Sequence, residues 1–403
     1  MRIGMMVDLY KPHVSGVTVH VDLNKKFMEA AGHEVFIFTF GDKDHEDDEA
    51  GIIRSGGLPL EVPALELGIQ INISYNRRAR SLLKTMDVVH LHHPFISGTM
   101  ALRYCRPRGI PIVFTNHTRY DLQAQAYLPL LPDTLGEAFL KSYLPPFCRA
   151  CDLVITPSEG MRQVLHGFGI SSHVEVVPNG VDLEPIRNVK DPIQRSEFGV
   201  GPEEVLLVYS GRLGSEKNLP LLLRSFAGVA GAYGNVHLVL VGDGPERDNL
   251  EDRVKHMGLT EQVHFTGMVP YEDIPRYLAA ADAFVTASVS EVHPLTVIEA
   301  MAAGLPVLGI ESPGVTDTVE DGVTGYLAKD DLAAFTAKLV RLVTDHEARK
   351  RMSEEARKQS AQYAIRRTSK ILLDHYETLV DKANRRAPTL RNRIYKLFDR
   401  LGA

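Results

Sequence analysis

Short apolar, β-branched runs recur along almost the whole chain, separated by stretches of about a dozen residues with helical spacing. That alternation constrains the fold more than any single motif. The runs are Ile3–Val7, Glu34–Phe40, Val88–His90, Ile112–Thr115, Leu153–Thr156 and Val174–Val177, then Val205–Tyr209, Val236–Val241, Val263–Thr266, Ala283–Thr286, Pro306–Gly309 and Gly325–Leu327. Strands of this kind have no polar face to offer water, so they belong in parallel sheets covered by helices on both sides. The twelve split six and six around Asp182–Glu204, where Pro185, Asp191-Pro192 and Gly201-Pro202 interrupt the rhythm. The expected fold is therefore α/β: two doubly wound, Rossmann-like lobes facing each other across a cleft, with ligands at the carboxyl ends of the strands. A length of 403 residues suits two domains rather than one. The expected boundaries are an N-terminal lobe over 1–183, a linker over 184–204 and a C-terminal lobe over 205–361. A helix over 362–382 that crosses back to the first lobe and a tail over 383–403 complete the chain.

Composition narrows the class. Hydrophobic residues make up 44% of the chain and charged residues 24%, a globular balance with ample core material. No apolar run reaches the roughly 18–20 residues a membrane span needs. The chain opens directly into a strand-like stretch, so no signal peptide is expected. Three cysteines, Cys105, Cys148 and Cys151, fit a reducing, cytoplasmic setting. Cys148-Arg-Ala-Cys151 lacks the second pair of ligands that a structural zinc site needs, and reads as small thiols at a helix end. The net charge of −6 is unevenly spread: residues 382–403 hold seven Lys/Arg against one acid, a tail of +6 that leaves −12 for the rest. Within the tail, Leu390, Ile394, Leu397, Phe398 and Leu401 recur at helical spacing. Such a basic amphipathic helix either lies on an anionic membrane surface or packs its stripe on its own protein. Arg77, Arg78, Arg80 and Lys84 line one predicted helix and could face the same surface, or simply water. The acidic run Asp42–Glu49 reads as a solvated loop without metal-binding spacing.

Near the end of the second lobe, Glu291-Val-His-Pro-Leu-Thr-Val-Ile-Glu299 runs into Ala300-Met-Ala-Ala-Gly304. Glu291 falls on a loop after a strand, and Glu299 falls one turn inside a helix that begins near Leu295. Helix N-termini offer unpaired N–H groups and the positive end of the dipole, which suit phosphate oxygens, while a carboxylate one turn in can accept hydrogen bonds from sugar hydroxyls. The combination suits a sugar diphosphate. Gly211-Arg212-Leu-Gly-Ser-Glu216-Lys217-Asn218 follows a strong strand, and its two cations can converge on a diphosphate, Arg by forked hydrogen bonds and Lys as a point charge. It is not a P-loop, because Glu216 stands where that motif needs glycine. Val241-Gly-Asp-Gly-Pro-Glu246 is likewise not a dinucleotide fingerprint, since Arg247 replaces the third small residue. A tight turn remains.

In the first lobe, Ser15-Gly16-Val17 opens a helical segment, where a glycine lets the chain approach a phosphate closely or merely turns the backbone. Thr115-Asn116-His117-Thr118 ends the fourth strand, and His117 there could donate to a sugar hydroxyl or to a leaving diphosphate. Pro178-Asn179-Gly180-Val181-Asp182 is turn chemistry closing the lobe. The proline-broken apolar stretch Tyr120–Pro132 is a candidate acceptor wall.

Taken in order and with their spacing, Ser-Gly-Val at 15–17, Pro-Asn-Gly-Val-Asp at 178–182, Gly-Arg-Leu-X-X-Glu-Lys-Asn at 211–218, Val-Gly-Asp-Gly-Pro-Glu at 241–246 and the Glu-X7-Glu block at 291–299 resemble the family 4 retaining glycosyltransferases of the two-lobed GT-B fold. The resemblance covers the chain to about residue 380. It implies a hexosyltransferase with a nucleotide-sugar donor (UDP-glucose or GDP-mannose), an N-terminal acceptor-binding lobe, a C-terminal donor-binding lobe, and no metal or other cofactor. Glu299 would hold the ribose hydroxyls and Glu291 the donor sugar, with backbone N–H groups at Leu295 and Thr296 on sugar and phosphate oxygens. Arg212 and Lys217 would neutralise the diphosphate, Gly16 would approach it from the first lobe, and His117 would orient the sugar. Segment 90–157 is similar to bacterial diacylglycerol glucosyltransferases and phosphatidylinositol mannosyltransferases, which implies a lipid acceptor met at the inner face of the membrane as a peripheral enzyme. A soluble sugar or small metabolite is the alternative acceptor. A nucleotide-sugar epimerase and a non-catalytic sugar-nucleotide sensor are the alternative functions, and no nucleic-acid partner is expected. The chain departs from the commoner pattern at Val292-His293, where Gly and Phe are frequent, which bears on the shape of the sugar pocket.

Overall fold

The computed structural model describes residues 1–386 except 42–44, 46, 48, 57, 62–67, 72–74, 121 and 123–132. The amphipathic part of the basic tail, most of the Tyr120–Pro132 stretch and much of the acidic run Asp42–Glu49 lie outside the described residues. The chain divides into two compact units: Met1–Gly180 with the C-terminal stretch from Ile365, and Val181–Ala364.

In the first unit the strands are β1 (Arg2–Met6), β2 (Glu34–Phe40), β3 (Ile52–Ser55), β6 (Val88–Leu91), β7 (Ile112–Thr115), β8 (Leu153–Thr156) and β9 (Val174–Val176), with a separate antiparallel pair β4 (Leu58–Glu61) and β5 (Gly68–Ile71). The main sheet runs β3-β2-β1-β6-β7-β8-β9 and is parallel throughout. The order reverses between β1 and β6, so a crevice is expected beyond their carboxyl ends. Helix Gly16–Ala30 starts there, with Ser15 as its N-cap. The Ser15 side chain accepts from the Thr18 N–H at 3.3 Å and the Thr18 hydroxyl accepts from the Ser15 N–H at 2.7 Å, a reciprocal cap with Thr in the usual Glu position.

Helix Ile365–Arg385 belongs to this unit although it follows the second one in sequence. It buries Ile365, Thr368, Ser369, Leu372 and Tyr376, one stripe at helical spacing, and packs along helix Gly16–Ala30. Leu372 and Tyr376 join Ile3, Met5, Val21 and Met28 in the core. Two polar contacts set the register: Ser369 Oγ donates to Asn24 Oδ1 at 2.8 Å, and the Tyr376 hydroxyl meets His90 Nδ1. Gly180 gives the close approach its room, since a Cβ there would lie 2.1 Å from Thr368 Oγ1 and 2.8 Å from Ile365 Cα.

The second unit has strands β10 (Val205–Ser210), β11 (Val236–Val241), β12 (Val263–Gly267), β13 (Ala283–Val285), β14 (Val307–Ile310) and β15 (Gly325–Ala328), in the order β12-β11-β10-β13-β14-β15 and again parallel. β10 and β11 are buried at every position. Alternate residues feed opposite layers, as a period of two requires. Leu207 and Tyr209 pack with Leu222 and Phe226 of helix Leu219–Tyr233 and with Phe335 and Leu339 of helix Leu332–Thr344. Leu206 and Val208 pack on the other side with Val297, Ala300 and Met301 of helix Leu295–Ala303. The stretch read from sequence as a linker carries the short helix Leu183–Arg187, which packs on Leu295–Ala303. Among the described residues no helix is long and apolar enough to cross a membrane.

Candidate active site

In the second unit the strand order reverses between β10 and β13, and the loops leaving those two strands carry the residues singled out in the sequence. The loop after β10 is tied down on several sides. Gly211 N–H donates to the Val241 carbonyl at 2.9 Å, Leu213 N–H to the Asp243 carbonyl at 2.9 Å, Glu246 N–H to the Leu213 carbonyl at 3.0 Å, and the Tyr209 hydroxyl to the Arg212 carbonyl at 2.9 Å. The two glycine-rich turns are thus one structure, and the turn at 241–246 serves to support the loop bearing Arg212 and Lys217. Gly242 makes this fit possible: it adopts φ +137°, and a Cβ would lie 2.1 Å from the Gly211 carbonyl oxygen. Gly242→Ala is expected to cost about 2–4 kcal/mol, from left-handed strain plus displacement of the neighbouring loop. Urea unfolding of the variant checks this, and a loss under about 0.5 kcal/mol would refute it.

Lys217 closes the short 3-10 turn Ser215–Lys217, and its Nζ donates to Glu291 Oε1 at 2.8 Å. Sequence reasoning named both residues but not their pairing, which joins positions 74 apart. The side chains are 22% and 18% exposed. Burial opposes each charge, yet the partner outweighs it: Glu291 holds the ammonium well above the usual lysine range, and Lys217 holds the carboxyl below the usual glutamate range. Both are charged across the whole neutral range.

Leu295 and Thr296 open helix Leu295–Ala303, whose N-cap, Pro294, offers no side-chain acceptor. The first N–H groups of this helix are therefore not taken by a capping side chain and remain available to an anion. One turn in, Glu299 is 3% exposed, and burial pushes its carboxyl up to about 7 although the Tyr271 hydroxyl, donating to Oε1 at 2.6 Å, pulls it down. Tyr271 was not found from sequence, because nothing in Pro270-Tyr271-Glu272 marks it as facing a residue 28 positions on. His293 is 5% exposed, and its ring stands edge-on to Tyr363 at 5.2 Å within the same unit.

In the first unit, Gly16 is the first residue of helix Gly16–Ala30, and a Cβ there would meet no atom within 4 Å. The protein itself does not demand glycine at this place. His117, just past β7, is half-buried and belongs to a histidine cluster that sequence reasoning did not assemble. His92 Nδ1 and His117 Nε2 are 3.0 Å apart with their rings stacked, and the His20 ring stands edge-on to His117 at 4.7 Å. Burial, reinforced by the neighbouring histidines, holds His117 and His92 well below the usual range, so both are neutral. His90 on β6 and His92 just past its end, two residues apart, were the available signal. Nitrogens of His20, His92 and His117 lie within 4.8 Å of one another. Cys148 and Cys151 are free thiols at the end of helix Asp133–Ala150, and burial raises both.

The chain thus has two doubly wound parallel units, and the second holds both the Lys217–Glu291 pair and the helix start at Leu295. Residues 14–185 match the family described as Glycosyltransferase Family 4, and residues 190–359 match Glycosyl transferases group 1. The alpha-monoglucosyldiacylglycerol synthase of Streptococcus pneumoniae is 30% identical over 355 residues, 83% of this chain and 77% of that one. The enzyme of the same name from Acholeplasma laidlawii is 27% identical over 398 residues, 96% of this chain and 99% of that one. HepE of Anabaena, solved in complex with UDP, superposes with a TM-score of 0.73 at 18% identity, covering 94% of this chain and all of HepE. The chain belongs to the family 4 glycosyltransferases of the GT-B fold and is a glycosyltransferase.

Proposed function

We propose that the protein transfers a hexose, with retention of anomeric configuration and without a metal, from UDP-glucose or GDP-mannose to a hydroxyl of a membrane glycerolipid. The observation that carries this reading is the Lys217–Glu291 pair at the switch point of the sheet, in the same unit as the uncapped helix start at Leu295 and the buried Glu299 one turn on. Glu299 accepts the ribose hydroxyls and Glu291 faces the donor sugar. Arg212, Lys217 and the N–H groups of Leu295 and Thr296 meet charge that grows on the departing diphosphate, which is where electrostatic preorganisation lowers a barrier most. Glu291 holds the Lys217 ammonium charged, so it is ready without a proton being recruited. Gly16 leaves open space at a helix N-terminus for a phosphate, and neutral His117 donates a hydrogen bond to the sugar without adding charge. The acceptor hydroxyl attacks the face from which the diphosphate leaves, through an oxocarbenium-like state.

The lipid acceptor is supported by the two relatives named for making alpha-monoglucosyldiacylglycerol. The excess of cations over residues 382–403 favours work at an anionic membrane surface. Incubation with UDP- and GDP-sugars, with and without anionic liposomes containing diacylglycerol or phosphatidylinositol, tests donor, acceptor and metal requirement together when EDTA is present throughout. The expected result is release of one nucleoside diphosphate and labelling of lipid, both dependent on the liposomes. Release without lipid labelling would move the acceptor to a soluble sugar or small metabolite. Loss of activity in EDTA would overturn metal independence.

A further inference from the structure

The carboxylate assigned to the ribose already has a hydroxyl on it. Tyr271 donates to Glu299 Oε1 at 2.6 Å from the 3-10 turn Tyr271–Asp273, which leads into helix Ile274–Ala280 against helix Leu295–Ala303. The two partners differ sharply in burial: Glu299 is 3% exposed and Tyr271 is 37% exposed. The carboxylate is locked in a helix, whereas the phenol sits on a surface turn and can leave without opening a core. A buried carboxylate without a donor is costly, and a charge-assisted O–H···O⁻ bond of this length is the usual remedy. Tyr271 supplies that bond.

We propose that Tyr271 is a stand-in for the ribose hydroxyls: a ribonucleoside diphosphate displaces its phenol from Glu299, and the residue thereby sets both affinity and ribose selectivity at this site. The proposal rests on the reading of Glu299 as the ribose-binding carboxylate. A vicinal diol matches both carboxylate oxygens, one of which the phenol occupies, so the ligand exchanges one O–H for another there. It gains only the difference between the two bonds. A 2′-deoxynucleotide brings one hydroxyl too few, and the phenol can then return to the vacated oxygen. Tyr271 thus weakens the binding of the ribonucleotide and shelters the deoxynucleotide from the penalty of an unpaired buried oxygen.

Tyr271→Phe removes one oxygen from a part-exposed ring and separates these effects. Calorimetric titration of wild type, Tyr271→Phe and Glu299→Gln would use UDP and GDP, each with its 2′-deoxy counterpart, at pH 8.5. That pH lies above the value of about 7 to which burial pushes the Glu299 carboxyl with the phenol in place. The expected result is that Tyr271→Phe binds the preferred ribonucleotide about threefold to tenfold more tightly than wild type and discriminates against the deoxynucleotide more strongly. Glu299→Gln should abolish the discrimination. If wild type binds both sugars alike and Glu299→Gln changes nothing, Glu299 does not hold the ribose, and that reading and this one fail together. If wild type discriminates through Glu299 but Tyr271→Phe binds the ribonucleotide unchanged or more weakly, the phenol positions the carboxylate instead of standing in for the ligand, and this proposal alone is overturned.

Discussion

Lys217→Ala is expected to lower kcat by about two to three orders of magnitude, the loss typical of removing one preorganised donor to a developing oxyanion. It is also expected to destabilise the fold, because it strands Glu291. Breaking a fully buried ion pair from one side costs about 3–5 kcal/mol. With 22% and 18% of the two side chains still exposed, about 2–3 kcal/mol is the better expectation here. The two losses have different origins, and the double variant Lys217→Ala/Glu291→Ala separates them. Removing both charges should return much of the lost stability, since no uncompensated charge remains, while activity stays as low as in the single variant or lower. Steady-state kinetics beside urea unfolding of the four proteins in the cycle measures both. Unchanged kcat in Lys217→Ala would remove the residue from the chemistry. A double variant no more stable than the single one would show that the pair is not what holds Glu291 in place.

The twelve strands read from the sequence all occur, because a parallel sheet covered on both faces forces each of them to be apolar along its length. The missed strand, Ile52–Ser55, is an edge strand of four residues whose Arg54 pairs with Asp47, so it lacks that signature. The antiparallel pair Leu58–Glu61 and Gly68–Ile71 is similarly short and carries Pro59. The long helical pattern from about Leu332 to Leu379 reads from its spacing as two or more helices, and the structure has three there. Its breaks come from Asp331 and Asp345 as N-caps and from the 3-10 turn Ser360–Tyr363, which local spacing does not announce. At the site, residue types were legible and partnerships were not. Lys217 and Glu291 meet only because β10 and β13 are neighbours at the switch point, and Tyr271 reaches Glu299 only because their helices pack. The 241–246 turn could be read as tight, but its service to the 211–217 loop depends on β10 and β11 running in register, Ser210 opposite Val241. Periodicity reports which side of an element is buried, and it carries no information about which distant loop end lies beside it.

Nucleoside diphosphate binding is expected to strengthen about tenfold per pH unit from pH 5 to about 7 and then to level off. Burial pushes the Glu299 carboxyl up to about 7 in the protein without nucleotide, so at pH 5 nearly all of it is protonated. A neutral carboxyl accepts hydroxyl hydrogen bonds far less well than a carboxylate, so the bound complex draws on the ionised fraction alone. That fraction grows tenfold per unit below the pKa, or about 1.4 kcal/mol, and saturates above it. The direction follows from proton counting: binding selects the form without the proton, so it releases one below pH 7, and affinity must rise with pH there. Folding shows the opposite sign. The carboxyl is raised in the native state, so the unfolded chain releases this proton first, and between about 4.5 and 7 this group makes the fold less stable as pH rises. The ligand's own phosphate titrates near pH 6 and would also tilt the profile. Glu299→Gln meets the same ligand with no proton to lose, so the difference between the two profiles isolates the carboxylate. If the profiles of wild type and Glu299→Gln run parallel from pH 5 to 8, the ionisation of Glu299 plays no part in holding the nucleotide.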